Sequence, residues 1–585
     1  MSASRASAAA LLLAACLAAG PAGAQSGEPL QLWRPAPQRV EPDRAEPGQA
    51  MPERAAPQPP EAPVETAPLE PLNRESLGLL EGRRGLGAEL WAGSDRAEIA
   101  SLIQALPARI DSAALHGLAR RLLLTAGKAP GNGAGDDSLI ALRVAALATL
   151  GAVEDAAALL AAAGPREDDP VLARLGLDLA LLRYDLPAAC ETVRAGVARH
   201  PDPYWQKALA FCQAEAGERD QARLGAGLLR EAKEEDAAFF ALLDMMLGDG
   251  PEKMPPLSDP APLHLAMLRA AGKPVPAELL TDAKPALLRS IALSPNAGLE
   301  VRIEAAERAV AAQALDPKAL ADLYAKAGAG APPPDDPPKS WTPQVRAALS
   351  RAAAGEQDLS ARAGMLQRAW AEARERGGYE ALVRAALPLI EPMQPGGRLG
   401  FFAEDAARAW LLAGQPARAR DWAGIARREA EGNPRAARGA ALLAPLIALA
   451  DPKAPPWTDE AMARWQELQR DRDPERAPRR MALVFTLFDA LGRPLPQKVW
   501  AALRGDLTPR QSTMPAPRVW QGMQAAAAEK RRGEAVLYAL LAASASEDAW
   551  TNPQILQGVI RALRQVGLQA DARALAVEAA LAAGV

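Results

Sequence analysis

Few residues in this 585-residue chain could do chemistry, because it has only three histidines and three cysteines. His116, His200 and His264 lie far apart in the sequence. None falls in an H-x-x-x-H or H-E-x-x-H pattern, which would set two ligands on one helix face around a metal. His116 sits in a helical stretch, and His200 at the expected end of another, where a cation complements the helix dipole. Structural roles are expected for both. "GNGAG" (Gly131–Gly135) has glycines but no lysine and no preceding strand, so it reads as a loop rather than a phosphate cradle. No G-x-S-x-G elbow is present. The acids Asp136-Asp137, Glu167-Asp168-Asp169 and Asp335-Asp336 lack the spacing of a calcium loop and read as solvated caps and turns. "EKRRGE" (Glu529–Glu534) is a mixed charge run suited to a solvated helix end. The sequence nominates no catalytic, cofactor-binding or metal-binding residue, and the expectation is a protein that is not an enzyme.

The cysteines depend on compartment. Met1–Ala24 reads as a secretory signal: Arg5 gives the positive start, Ala8–Ala19 the apolar run, Gly20-Pro21 the break. Ala22-Gly23-Ala24 is then a small-residue cleavage site before Gln25. An alternative cut lies in Leu13-Ala14-Ala15-Cys16, which resembles a bacterial lipobox and would make Cys16 the lipidated first residue. The short signal this leaves, and the apolar Leu17-Ala18-Ala19 after it, favour cleavage at Gln25. Either route exports the chain, with the bacterial periplasm expected and an outer-membrane lipoprotein as the alternative. Past the signal only Cys190 and Cys212 remain. If helices cover about 186–199 and 203–216, each cysteine stands nine residues from the connecting turn, about 13 Å along its helix. Antiparallel neighbours would bring the two level. In an oxidising compartment that favours a disulfide, worth about 3 kcal/mol in the chain-entropy model. The alternative is two buried thiols packed as small apolar residues.

The elements that carry these residues follow from composition. Hydrophobic residues make up 49% of the chain but aromatics only 4%, so alanine and leucine must build the core. That favours close-packed helices over sheets. The net charge is −4, which gives no bulk attraction to nucleic acid or anionic lipid. No apolar run after the signal is long enough to span a membrane. Pro29–Pro71 holds 12 prolines in 43 residues, which excludes a helix and predicts a disordered, polyproline-like tether. A docking peptide for a proline-recognising groove is the alternative. From Ser94 onward short amphipathic helices alternate with Gly/Pro breaks. Asp95 is placed to cap a helix carrying Ile99, Leu102, Ile103 and Leu106 on one face, and Pro107 ends it. Asp111-Ser112 offers the next cap and Gly127 the next stop.

A repeat emerges in three segments. "LGAVEDAAALL", "LRYDLPAACETV" and "AGERDQARLGAGLL" place Gly151, Tyr184 and Gly217 each five residues before an alanine: Ala156, Ala189 and Ala222. The spacing is 33 residues each time. Gly414 with Ala419 and Gly567 with Ala572 repeat the local pattern. The pattern resembles the tetratricopeptide family, in which a small residue closes the first helix of each hairpin and an alanine lets the second pack tightly. The family's other consensus positions are poorly kept. The resemblance is convincing over about 137–235, and is extended by inference to the rest. It implies a right-handed superhelical solenoid of antiparallel helical hairpins, with a concave surface that takes a protein or peptide. The organisation expected is a signal (1–24), a tether (25–75), an array (76–330), a proline-rich break (331–343) and a second array (344–585). Trp341-Thr342-Pro343, Trp457-Thr458-Asp459 and Trp550-Thr551-Asn552-Pro553 each mark a helix start. Threonine is expected as the cap and tryptophan as packing, with an aromatic ligand cage as the sharper alternative. The functional expectation is an exported interaction scaffold. The alternatives are a lipid-anchored subunit of an outer-membrane assembly and a cell-wall enzyme with a helical superhelix.

Overall fold

The computed structural model describes residues 74–585, apart from 132–137, 165–168, 252–253, 328–336, 455–456, 504–512 and 547–548. The signal, with its cleavage at Ala22, Ala24 and Gln25 or lipidation at Cys16, lies outside the described residues. So do nearly all of the tether, most of "GNGAG", Asp136-Asp137, Glu167-Asp168 and Asp335-Asp336.

The fold is all-helical: the described residues contain 26 α-helices and no strand. It opens with α1 (Arg96–Gln104) and α2 (Ala113–Leu124). Three hairpins follow: α3 (Leu139–Thr149) with α4 (Val153–Ala163), α5 (Pro170–Leu182) with α6 (Leu186–Gly196), and α7 (Pro203–Glu215) with α8 (Arg219–Glu231). Their corners fall on the 33-residue spacing. Gly151, Tyr184 and Gly217 have φ of 86°, 56° and 79°. In each corner two backbone bonds reach back into the finished helix: the left-handed residue donates to the carbonyl three residues earlier, and its successor to the one five earlier. This is a Schellman closure, and glycine suits it because it has no Cβ to clash. The alanine five residues on is fully buried in each case, at 0% exposure for Ala156, Ala189 and Ala222. A larger side chain there would push the helices apart.

The middle of the chain is less regular. It runs through α9 (Ala237–Leu247), α10 (Pro262–Ala270), α11 (Pro285–Leu293), α12 (Leu299–Ala311) and α13 (Pro317–Lys326). Next come α14 (Pro343–Gly355), α15 (Leu359–Arg376), α16 (Tyr379–Ile390), α17 (Ala403–Leu412), α18 (Pro416–Arg428) and α19 (Pro434–Ala450). The last are α20 (Asp459–Arg472), α21 (Ala477–Ala490), the short α22 (Gln497–Trp500), α23 (Pro517–Ala528), α24 (Arg532–Ala543), α25 (Pro553–Gln565) and α26 (Gln569–Ala582). The Schellman corner recurs at Gly414 between α17 and α18 and at Gly567 between α25 and α26. It recurs also at Lys530 between α23 and α24, where φ is 62° without a glycine. Ala419, Ala535 and Ala572 are again buried beneath.

Helices pack mainly on their neighbours in sequence, as in a solenoid. Several contacts depart from that rule. α10 packs back on α5, and α11 on α3. The first helices also meet the last: α2 packs on α24 and α26, and α1 on α24. Glu578 of α26 takes hydrogen bonds from Ser112 Oγ (2.7 Å) and from the backbone of Ala113 (2.5 Å) and Ala114 (2.8 Å), capping α2 from the far end of the chain. Arg121 pairs with Asp571 at 2.7 Å and Arg518 with Glu98 at 2.6 Å. Glu70–Val585 forms one compact unit, in which α13 and α14 pack across the proline-rich break.

Local expectations fare well where the deciding contacts are local. Asp95 caps α1 through the amides of Ala97 and Glu98. Ser112 caps α2, Thr342 caps α14 and Thr458 caps α20. Three details differ. Asn552, not Thr551, caps α25, because its side-chain oxygen reaches the amides of Gln554 and Ile555. α2 ends at Leu124 rather than near Gly127, since Thr125 turns extended to bridge Leu80. The helix expected over 186–199 ends at Gly196. His200 precedes Pro201, which disfavours helical backbone, and stacks on Trp205 at 4.8 Å.

Candidate functional site

Cys190 on α6 and Cys212 on α7 form a disulfide, with Cα atoms 5.6 Å apart. Both are buried in the core between the hairpins. Replacing both by alanine is expected to lower unfolding stability by about 3 kcal/mol. Urea unfolding of the two proteins under non-reducing conditions measures this. Equal midpoints would show that the cross-link does not stabilise the fold.

The three histidines do not converge. His116 Nε2 meets the Leu150 carbonyl at 3.2 Å. His264 Nδ1 accepts from the Ala261 amide at 3.1 Å, and its Nε2 meets Asp236 at 3.1 Å. Asp236 is shared with Lys207 at 2.9 Å. Among the described residues no group of three His, Cys, Asp or Glu is arranged to hold a metal. Burial lowers the pKa of His116 and of His264 below 6.5, outweighing the raising pull of the Leu150 carbonyl and of Asp236. The folded state therefore favours neutral imidazoles, and below pH 6.5 the unfolded chain binds protons that the fold holds off. Stability is expected to be retained above that pH and lost as pH falls through it. Melting temperatures measured at pH 7.5 and 5.0 test this. Double replacement of His116 and His264 by glutamine should flatten the difference, and an unchanged slope would refute the assignment.

A cavity of about 640 Å³ with a partly polar lining lies beside the closure. α26 presents one face to it. Ala570, Arg573, Ala574, Val577, Glu578 and Leu581 follow the i, i+3, i+4 spacing of a helix stripe. Across from them stand Leu411 and Leu412 at the end of α17, Ala417 and Arg420 of α18, Ala450 at the end of α19, and Asp451 and Lys453 after it. Arg384 of α16 and Gln313 complete the wall. Four cations thus face two acids. Arg420 is paired with Asp451, and Arg384 with Glu380 at 2.8 Å. Arg573 and Lys453 have no ion-pair partner among the described residues. Burial pushes the Glu578 carboxyl up, against the lowering pull of its donors on α2. None of these residues is conspicuous in the sequence. The α26 stripe was legible only as part of the repeat "LRQVGLQADARALAVEAAL", and its opposite wall comes from segments more than 100 residues away.

The tryptophans at the helix starts have separate surroundings. Trp341 donates to the Gly377 carbonyl at 2.9 Å, while Trp457 stacks on Phe488 at 5.3 Å. These are packing roles.

Together these features define an all-helical array of hairpins that packs in sequence order and closes between its first and last helices. No known protein family matches the chain, and no curated protein or solved structure matches it either. No described helix is long and apolar enough to cross a membrane.

Proposed function

We propose that this protein is an exported, non-enzymatic helical-repeat scaffold that binds a protein or peptide partner in the bacterial periplasm or cell envelope. The observation that carries the reading is the recurrent hairpin corner: the left-handed turns at Gly151, Tyr184, Gly217, Gly414, Lys530 and Gly567 are each followed five residues later by a buried alanine. Such units cannot bury their apolar faces alone, so they stack and leave an extended surface for a partner. In this reading the stack winds right-handed, and its concave side takes the partner. The Cys190–Cys212 disulfide suits an oxidising compartment. Cross-linking in intact cells, followed by affinity capture and mass spectrometry, tests the reading. A specific envelope protein recovered with the full chain is expected. Recovery of none, or peptidoglycan cleavage by the purified protein, would overturn it. The mass of the mature N-terminus checks the compartment: a chain beginning at Gln25 is expected, whereas a lipidated Cys16 would make it membrane-anchored.

A further inference from the structure

We propose that the cavity beside α26 is a binding site for a small amphiphile with one compact anionic head and an unbranched apolar body. This does not rest on the scaffold reading, since a cavity of this kind can serve any helical-repeat protein. Its volume of about 640 Å³ falls within the range of small-ligand sites. Its lining carries two chemistries. The apolar part is made by Leu411, Leu412, Val577 and Leu581 with alanines between them. The polar part carries four cations against two acids, with Asp451 held by Arg420 and the oxygens of Glu578 taken by the first turn of α2. Arg573 and Lys453 are left to meet an anion from outside. A half-buried guanidinium binds a carboxylate or a phosphate with paired, charge-assisted hydrogen bonds.

The walls argue against a peptide as the occupant. On α26 the lining residues Arg573, Ala574, Val577 and Glu578 lie inside the helix, where their backbone groups bond within it. A peptide's amides would find no partners along the apolar part, at a cost in desolvation. An alkyl chain has no such groups to satisfy. From Arg573 to Leu581 the α26 stripe runs roughly 12 Å at 1.5 Å per residue, the length of an extended acyl chain of about ten carbons.

Calorimetric titration of the full exported chain with decanoate, decyl phosphate and decanol tests the proposal. Saturable one-to-one binding of decanoate or decyl phosphate is expected, at least tenfold tighter than decanol. The tighter of the two anions names the head as carboxylate or phosphate. Arg573→Ala should weaken binding about tenfold. Ala574→Trp, at an exposed position on the cavity face, should abolish it without changing the melting temperature. The proposal is overturned if neither anion saturates, if decanol binds as tightly as the anions, or if both variants bind like the parent. Binding of short peptides without any affinity for decanoate or decyl phosphate would overturn it as well.

Discussion

Replacing Arg346 by alanine is expected to destabilise the protein by about 3–5 kcal/mol, because it strands a buried carboxylate. Arg346 lies in the first turn of α14, just past the proline-rich break. Its guanidinium holds Glu307 of α12 through three hydrogen bonds, with Nε at 2.8 Å from Oε1 and 3.0 Å from Oε2, and Nη2 closer still on Oε2. Nη1 donates to the Trp341 carbonyl at 2.7 Å, and Nη2 also reaches Glu304 at 2.9 Å. Tyr324 of α13 donates its hydroxyl to Glu307 at 2.6 Å. The arginine and glutamate side chains are only 9% and 6% exposed. Burial pushes the Glu307 carboxyl up, and Arg346 is the main force pulling it down. Without Arg346 the site holds either an unpaired charge or a carboxyl that must protonate. Urea unfolding gives the free energy directly. Two comparisons separate the buried pair from ordinary surface charge. Glu304→Gln should cost less than about 1 kcal/mol, because that carboxylate is half-exposed. Glu307→Leu combined with Arg346→Met and Tyr324→Phe should recover most of the loss, because an apolar set of similar volume leaves no buried group without a partner. A mild effect of Arg346→Ala alone would mean that water reaches Glu307 and the site is not dry.

Arg143→Ala is expected to cost about 4 kcal/mol, for a different reason. Arg143 on α3 is 2% exposed and serves carbonyls rather than an acid. It donates to Leu123 at 2.7 Å, Thr125 at 2.9 Å, Leu77 at 2.6 Å and Glu75 at 3.3 Å. It therefore ties the segment around Leu77 to the end of α2. Burial without a counter-charge pushes its pKa down to about 10. Removal leaves the buried carbonyls of Leu123 and Thr125 unsatisfied and that of Leu77 without its partner, at about 1–3 kcal/mol for each buried group. The loss should be local as well as global. The amides of Leu79 and Leu80 both donate to the Leu124 carbonyl, and their hydrogen exchange should accelerate more than that of α25. Arg143→Lys should not rescue the fold, because one ammonium cannot span carbonyls that a planar fork reaches together. Even exchange rates across the chain would refute the local role.

These two arginines show where sequence reasoning stops. The corner residues Gly151, Tyr184 and Gly217 were readable, and Cys190 with Cys212 was readable from equal distances to one turn. Lys530 was missed as a corner because nothing marks a lysine for φ of 62° except the alanine five residues on. Thr551 and Asn552 both suit a cap by residue type, and only side-chain geometry separates them. Arg346 and Glu307 stand on opposite sides of the stretch expected to divide two arrays, and neither carries a mark that it will be buried. The cavity was not legible at all.

The division has a physical basis. Helix caps, Schellman corners and the alanine beneath each corner depend on backbone dihedrals and contacts within about two turns of helix, so residue type and spacing alone determine them. The same holds for the all-helical class, which follows from an alanine- and leucine-rich chain with regular breaks. Glu578 on the first turn of α2 is another matter, because 466 residues separate it from Ser112. Where α26 arrives is the sum of the small rotations at every hairpin before it, and no single residue encodes that sum. Only the tertiary structure decides that the last helix meets the second, and with that meeting come the cavity, its unpaired cations and the surface they offer.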